Sequence, residues 1–142
     1  ITNYRIQIAR DLLKNTSLIK DFEKNFNSLG GVLENEPFLF GSSDIGNLSY
    51  KIPVLHPMIQ TSRSGFALHT EEFLKEGKTD FAYKAMILGM KAISITAARV
   101  LIDKKFLQEI KAEFKESIKY MWIKIKSEIY AKLLRNSISK YF

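Results

Sequence analysis

Residues 41–73 interrupt a chain that is otherwise patterned for helices. The stretch holds both histidines and two of the three prolines, and it opens with Gly41-Ser42-Ser43-Asp44. Glycine tolerates positive φ, and Ser and Asp side chains hydrogen-bond nearby backbone groups, so residues 41–47 are predicted to form a loop. Pro53 lacks a backbone N–H, so residues 48–55 can form only an edge strand or a broken one. We expect another strand end at residues 58–60 and a second loop at residues 61–65.

The two histidines are the first candidates for function in this stretch. Pro57 restricts His56 to extended geometry, while His69 follows a loop and precedes Thr70-Glu71-Glu72-Phe73. A histidine at a loop end followed by carboxylates is a candidate metal ligand. The alternative is a hydrogen-bonded structural histidine, with the two glutamates solvated at a helix start where the dipole favours negative charge. Two histidines thirteen residues apart are not by themselves a zinc motif.

Apolar residues recur at steps of three and four on both sides of this stretch, which predicts helices. Residues 4–13 form one apolar face, and a second helix is expected to start at Thr16 or Ser17 and to stop at Gly30. The piece 38–40 is predicted to be a core strand or a loop anchor. After a turn at residues 77–80, a buried helix is expected over residues 81–102. Its expected apolar face comprises Ala85, Met86, Gly89, Ile93, Ala97 and Val100.

Asp103 is expected to cap the last helix, whose apolar stripe comprises Leu107, Ile110, Phe114, Ile118, Met121, Ile125, Ile129 and Leu133. Such a stripe usually docks on a core. The tail from Lys115 onward could instead pack on another chain or lie on an anionic membrane, an option that lysines beside Trp122 suit. Core or oligomer packing is the preferred interpretation.

Composition limits the function classes. The net charge is +7, and residues 103–142 carry +5 of it with ten Lys and Arg against five acidic residues. Lysine dominates, and it lacks the bidentate fork that favours base or phosphate recognition, so nucleic acid is not an expected partner. No cysteine is present, which excludes disulfides and thiolate sites. No uninterrupted apolar run approaches the roughly 20 residues that cross a bilayer. The first residues do not resemble a signal peptide, so we expect a cytoplasmic protein and no membrane partner.

Four motifs follow one another along the chain: G-S-S-D-x-G-N-x-S-Y at 41–50, P-x-x-H-P at 53–57, H-T-x-E-F at 69–73 and A-x-K-A-M-x-L-G-x-K-A-x-x-x-T-A at 82–97. In this order they resemble the metal-dependent amidohydrolase family of aminoacylases, carboxypeptidase G type enzymes and p-aminobenzoyl-glutamate hydrolases. The first motif is more similar to the aminobenzoyl-glutamate branch than to the auxin-conjugate branch, which usually has G-S-E-D-F. The resemblance covers roughly residues 15–114.

The resemblance implies a catalytic domain that binds two divalent metals, usually zinc. The last metal ligand in such enzymes is the histidine of the H-T-x-E-F motif, here His69. Asp44, Asn47 and His56 would lie near the active site and contact substrate or support the ligands. The family's other ligands and its general base belong to an N-terminal half that has no counterpart here, so this sequence contains no catalytic residue of its own. We expect a fragment that is inactive alone and binds no metal tightly by itself.

The resemblance and the patterns together predict a helix-rich α/β fold, part of a zinc-exopeptidase-like domain with a few short strands and a long C-terminal amphipathic helix. Residues 1–31 would end a lid domain, 32–114 would close the catalytic domain, and 115–142 would be a basic helical extension. The predicted function is amide hydrolysis of N-acyl or aryl amino acids or small dipeptides, with the missing half or a further copy as partner. The alternative is a helical self-association module, or a basic binder of membrane or nucleic-acid surfaces, without chemistry.

Overall fold

Five helices make up most of the chain in the computed structural model, which describes residues 12–33, 44–63 and 65–138, with side chains up to residue 132. They are α1 (Thr16–Ser28), α2 (Asp44–Ser49), α3 (Glu71–Glu76), α4 (Asp80–Ile102) and α5 (Lys104–Ile138). The prediction of a helix-rich chain is confirmed. The described ranges contain no β-strand, so the short strands and the zinc-exopeptidase-like sheet are not observed there. The expected helix at 4–13 and the piece 38–40 fall largely or wholly outside those ranges.

Helix α1 starts and stops through side-chain and backbone capping. The N-cap is Asn15, one residue before the predicted cap, and its side chain accepts a hydrogen bond from the Leu18 amide at 3.1 Å. At the other end Gly30 adopts a φ of 87°, and the Gly31 amide reaches back to the Phe26 carbonyl at 3.0 Å. This is the Schellman arrangement that a left-handed glycine permits. The predicted stop at Gly30 is therefore confirmed.

The middle of the chain differs most from the expectation. Residues 44–49 form α2, where a loop was predicted, and the Ser49 hydroxyl closes this helix by donating to the Gly46 carbonyl at 2.6 Å. Of the expected strands at 48–55 and 58–60, residues 48–49 belong to α2 and residues 50–52 form a turn and a bend. Residues 53–62, which we call the extended segment, have no helix and no strand pairing. Pro53 and Pro57 each remove an amide donor, so this segment packs by its side chains instead of by a hydrogen-bonded ladder.

Two hydrophobic clusters join the extended segment to the helices. Leu18 of α1 packs with Phe106 and Ile110 of α5, and Phe22 and Phe26 pack against Ala92 of α4. The phenylalanine rings stack with centroids 5.6 Å apart. Leu55 contacts both clusters and Ile59 contacts the second. The core therefore lies between α1, α4 and α5, with the extended segment laid over it.

Helix α4 buries a narrower and different face from the one predicted. Its N-cap Thr79 accepts from the Ala82 amide at 3.2 Å, as the predicted turn and cap required. Of the expected apolar face only Gly89 is buried, while Met86, Ile93 and Ala97 are exposed. The buried residues are Ala82, Gly89, Ala92 and Thr96. The small residues of α4 thus face its neighbours, and its larger side chains face outward.

Helix α5 is anchored only along its first part. Asp103 separates it from α4, and its carboxylate accepts from the Phe106 amide at 3.0 Å, which confirms the predicted cap. The apolar stripe is buried or half-buried from Leu107 to Met121, but Ile125 and Ile129 are exposed. The helix runs through position 114 without a break, so the proposed boundary there stays a prediction.

One further property of α4 revises the sequence analysis. Among the described residues, α4 is the one helix long and apolar enough to cross a bilayer by length and composition, with a mean hydropathy of 1.7 over its best 18 residues. The search for uninterrupted apolar runs missed this property of α4, because Lys84 and Lys91 divide its apolar residues into shorter runs. Core helices of soluble proteins pass the same criterion, so length and composition do not distinguish a membrane-spanning helix from a core helix.

Candidate functional site

The four predicted site residues lie on three separate pieces of the chain. Asp44 is the first residue of α2 and is exposed, while Asn47, on the same helix, is half-buried. His56 is exposed within the extended segment, and His69 is exposed just before α3. Within the described ranges, no hydrogen bond or ion pair joins any two of these four side chains. Their roles as ligand and substrate contacts remain predictions.

His69 has an unusual backbone. Its φ is 66°, and it is the one non-glycine residue with positive φ in the described part of the chain. The following residue, Thr70, caps α3 by accepting from the Phe73 amide at 3.2 Å and donates to the Ala67 carbonyl at 2.9 Å. Left-handed backbone at a non-glycine residue costs energy and clusters at functional positions. The turn and the cap together hold the His69 imidazole out in solvent.

The described residues do not form a complete metal centre. No group of three or more His, Asp or Glu side chains in those ranges could hold a metal ion. A single imidazole does not fix a divalent metal, which needs several ligands in a defined geometry. A dinuclear site that includes His69 would therefore require donors from outside the described residues.

A polar network that the sequence analysis missed connects α1, α4 and α5. The buried Asp21 carboxylate accepts from the Arg99 guanidinium at 2.6 Å, and the Asn25 amide donates to both Asp21 and Thr96 at 3.0 Å. Arg99 also donates to Asp103 at 3.2 Å, and its Cζ atom lies 4.1 Å from the centre of the Phe106 ring. The i, i+4 spacing of Asp21 with Asn25 and of Arg99 with Asp103 was the available signal.

The charges in this network shift one another in the expected directions. The hydrogen bond to Asp21 is the main reason why the pKa of Arg99 is raised, although desolvation opposes it. The backbone hydrogen bond from Phe106 is the largest cause of the lowered pKa of Asp103, and Arg99 adds to it. No buried side-chain nitrogen or oxygen in the described residues lacks a partner. The network is thus fully paired and holds three helices together instead of presenting a reactive group.

Glu113 of α5 forms a second long-range contact, with the start of α1. Its two carboxylate oxygens accept from the backbone amides of Thr16 and Ser17, the latter at 2.9 Å. Beside it, the Asn15 side chain donates to the Ile110 carbonyl at 3.1 Å. Burial raises the pKa of Glu113, but the hydrogen bonds from Ser17 and Thr16 together outweigh burial and hold it below its usual range. The carboxylate therefore satisfies amides that the helix start leaves free.

Two shallow depressions lie on the described surface, and neither contains a predicted site residue. One, of 290 Å³, lies between Leu29 of α1 and α4 residues Lys84, Ile87, Leu88 and Lys91. The other, of 280 Å³, lies over the Asp21–Arg99 pair. Asp21 is already paired with Arg99 and Asn25, so the second depression presents no free carboxylate.

Comparison with known proteins tests the resemblance. The chain is 32% identical over 78 residues to a subunit of the p-aminobenzoyl-glutamate hydrolase of Escherichia coli K12, covering 55% of this chain and 16% of that protein. It is 28% identical over 109 residues to human Xaa-Arg dipeptidase and 26% identical to the mouse protein, each match covering 74% of this chain and 25% of the relative. The chain is homologous to these hydrolases.

The resemblance to this family that the sequence motifs indicated is therefore confirmed, at modest identity. The names of the relatives denote enzymes that act on amide bonds. No family model matches the chain. The matches span between a sixth and a quarter of the relatives' length, so their full activities do not transfer to this chain by similarity alone.

Proposed function

We propose that this chain is the C-terminal portion of a metal-dependent amidohydrolase that cleaves N-acyl or aryl amino acids or small dipeptides. The observation that carries the proposal is the position of His69. Its H-T-x-E-F motif lies on an exposed turn, with left-handed backbone and a capped helix directly after it. A histidine held outward at an energetic cost suits a metal site that further donors complete.

The homology supports the reaction class. One relative is named for hydrolysis of p-aminobenzoyl-glutamate and the others for cleavage of Xaa-Arg dipeptides, and both names describe amide bonds next to an amino acid. In the proposed assembly His69 contributes one metal ligand, and Asp44, Asn47 and His56 contact the substrate or support the ligands. The other metal ligands and the general base come from residues outside the described part, in the same polypeptide or another. Zinc is the proposed metal, and the cytoplasm is the proposed location.

The test is complementation by a relative. The chain is coexpressed with the part of the E. coli hydrolase subunit that it does not match, and the purified complex is assayed for bound zinc and for hydrolysis of p-aminobenzoyl-glutamate. We expect both to appear, and both to be lost in His69→Ala. Lys75→Ala in α3 is the matched control, because Lys75 is exposed and its one ion pair, with Glu71, is 4.0 Å long.

Two results would overturn the proposal. One is a folded complex that contains neither zinc nor activity. The other is an active complex that His69→Ala leaves unchanged. Calorimetry of zinc with the chain alone adds a check: a single donor predicts weak binding at most, and tight binding lost in His69→Ala would mean that two copies assemble the ligand set.

A second candidate function is a helical self-association module without chemistry. Exposed large apolar side chains favour it, since α4 and the far part of α5 present Met90, Leu101, Trp122 and Tyr130 to solvent. Exposed apolar surface of this extent is typical of interaction sites. This function needs no metal and would survive His69→Ala, so the complementation experiment separates the two candidates.

A further inference from the structure

The outward face of α4 is an apolar seam. Its residues recur at steps of four and three along the whole helix, the 3.5-residue spacing of helices that pair along their length. The seam comprises Tyr83, Ile87, Met90, Ser94, Ala97 and Leu101, all exposed, with Met86 and Ile93 beside it. It lies away from the buried stripe formed by Ala82, Gly89, Ala92 and Thr96. One side of α4 therefore packs in the core while the other has no partner within the described residues.

We propose that this seam pairs with the α4 seam of a second copy of the chain in antiparallel orientation. A two-fold axis at the level of Ala92 relates positions whose numbers sum to 184. It sets Ile87 opposite Ala97 and Met90 opposite Ser94. These two pairs each match a large side chain with a small one, and at the two ends Tyr83 packs against Leu101. A two-fold interface requires such self-complementarity, because the same patch is used twice.

The area of the seam is adequate for a specific pair. Its large side chains, with Met86 and Ile93, are between 42% (Ile93) and 85% (Leu101) exposed. Six such side chains of about 200 Å² each expose on the order of 600 Å² per copy. Twice this value reaches the lower end of specific interfaces, about 1,200 Å². An isolated monomer rarely exposes a contiguous apolar patch this large.

Charge at the ends agrees with the antiparallel direction. The antiparallel direction sets the two exposed Asp80 carboxylates, at the starts of the two α4 helices, at opposite ends of the pair. A parallel pair would instead set Asp80 beside Asp80. Lys84 and Lys91 lie along one margin of the seam, where their ammonium groups reach water while their stems cover apolar surface. This pairing does not depend on the proposed hydrolase function.

The first experiment measures mass against concentration by sedimentation, from about 1 to 200 µM, a range that spans the affinity expected for an interface of this size. We expect a monomer–dimer equilibrium. Ile87→Lys should weaken the dimer at least about tenfold, because it buries an ammonium inside the seam, opposite Ala97. Ile95→Lys is the matched control: Ile95 lies on the same helix with 44% exposure against 45% for Ile87, but off the seam. Circular dichroism confirms that each variant is folded.

The second experiment tests direction and register by disulfide formation, which the absence of native cysteine makes direct. Tyr83→Cys and Leu101→Cys are prepared separately and then mixed under oxidising conditions. The antiparallel register predicts a crosslinked heterodimer in the mixture. It predicts no crosslink from either variant alone, because two copies of position 83 would be about 27 Å apart along the helix axis.

Several outcomes would overturn the pairing. A chain that is monomeric at every concentration refutes it, and so does self-crosslinking of Tyr83→Cys, which indicates a parallel pair. Association that Ile87→Lys leaves intact but Tyr120→Lys abolishes assigns the contact to α5 instead. Binding of the monomer to phosphatidylglycerol vesicles through this face, without dimers in solution, assigns the seam to a membrane.

Discussion

A close approach between α4 and the extended segment occurs at Gly89, and it leads to a quantitative prediction. A Cβ atom placed at Gly89 would overlap the Ile59 Cδ1 atom, while Ile59 Cγ1 would stay at an ordinary 3.6 Å. At Gly89, therefore, the Cδ1 methyl group of Ile59 packs directly on the α4 backbone. Gly89→Ala should overpack this contact, and Ile59→Val, which removes only Cδ1, should relieve it.

The expected free energies follow from opposing effects. Alanine in place of glycine inside a helix stabilises it by about 1 kcal/mol, whereas overpacking costs about 1–3 kcal/mol. Gly89→Ala should therefore destabilise the wild-type chain by about 1 kcal/mol. Ile59→Val alone should cost about 1 kcal/mol through lost packing. In the Ile59→Val background the overlap is absent, so the alanine should stabilise the chain by about 0.5–1 kcal/mol.

Urea denaturation of the four proteins measures these values, with the midpoint and slope fitted for each. The double-mutant cycle should give a coupling energy of about 1.5–2 kcal/mol between the two positions. If Gly89→Ala is equally destabilising in both backgrounds, the overlap with Ile59 is refuted as the cause, because the cost would then not arise from its methyl group.

Two further predictions concern helix starts. Glu113→Gln should destabilise the chain by about 1 kcal/mol at pH 7, since one of two charge-assisted hydrogen bonds to α1 is lost. The pKa of Glu113 in the folded chain lies below its ordinary value of 4.5. Its contribution to the free energy of unfolding is therefore complete above about pH 4.5 and is lost as the pH falls through the folded pKa. The difference in stability between wild type and Glu113→Gln should accordingly shrink in acid. Glu116→Gln, where the side chain is exposed and lies 3.9 Å from Lys119, should show no such effect. Thermal unfolding across pH measures both. His69→Gly should stabilise the chain by about 1 kcal/mol because glycine adopts positive φ freely, whereas His56→Gly should not; equal effects would contradict the assigned backbone.

The sequence predicted α1, α4 and α5 because their signals are local, although it assigned most of α2 to a loop. The stop at Gly30 and the caps at Thr79 and Asp103 follow from residue type and spacing within one turn. The prediction of strands at residues 48–60 was wrong for a reason that is not local. An extended segment becomes a strand only when another strand pairs with it, and periodicity at residues 48–60 carries no information about a partner.

The candidate site shows the same contrast between local signals, which the sequence carries, and long-range contacts, which it does not. Motif order predicted a ligand role for His69, which stays a prediction, and indicated the family resemblance. Spacing alone could not show the left-handed backbone of His69, or that no group of three candidate metal ligands forms within the described residues. The sequence analysis assigned the wrong face of α4 to the core. Apolar residues surround most of this helix, so their spacing did not distinguish its buried face from its exposed face. The carboxylate of Glu113 was missed because its partners lie 96 and 97 residues away.

That separation has a consequence for the order of events during synthesis. Ribosomes add about 5–20 residues per second, so on the order of 5–20 s pass between the translation of Thr16 and that of Glu113. Phe22 and Phe26 of α1 lack their α4 contact until Ala92 is translated, and Leu18 lacks its α5 contacts until Phe106 and Ile110 follow. Helix α1 therefore keeps apolar side chains exposed for several seconds, and the translation rate between these points sets how long that exposure lasts.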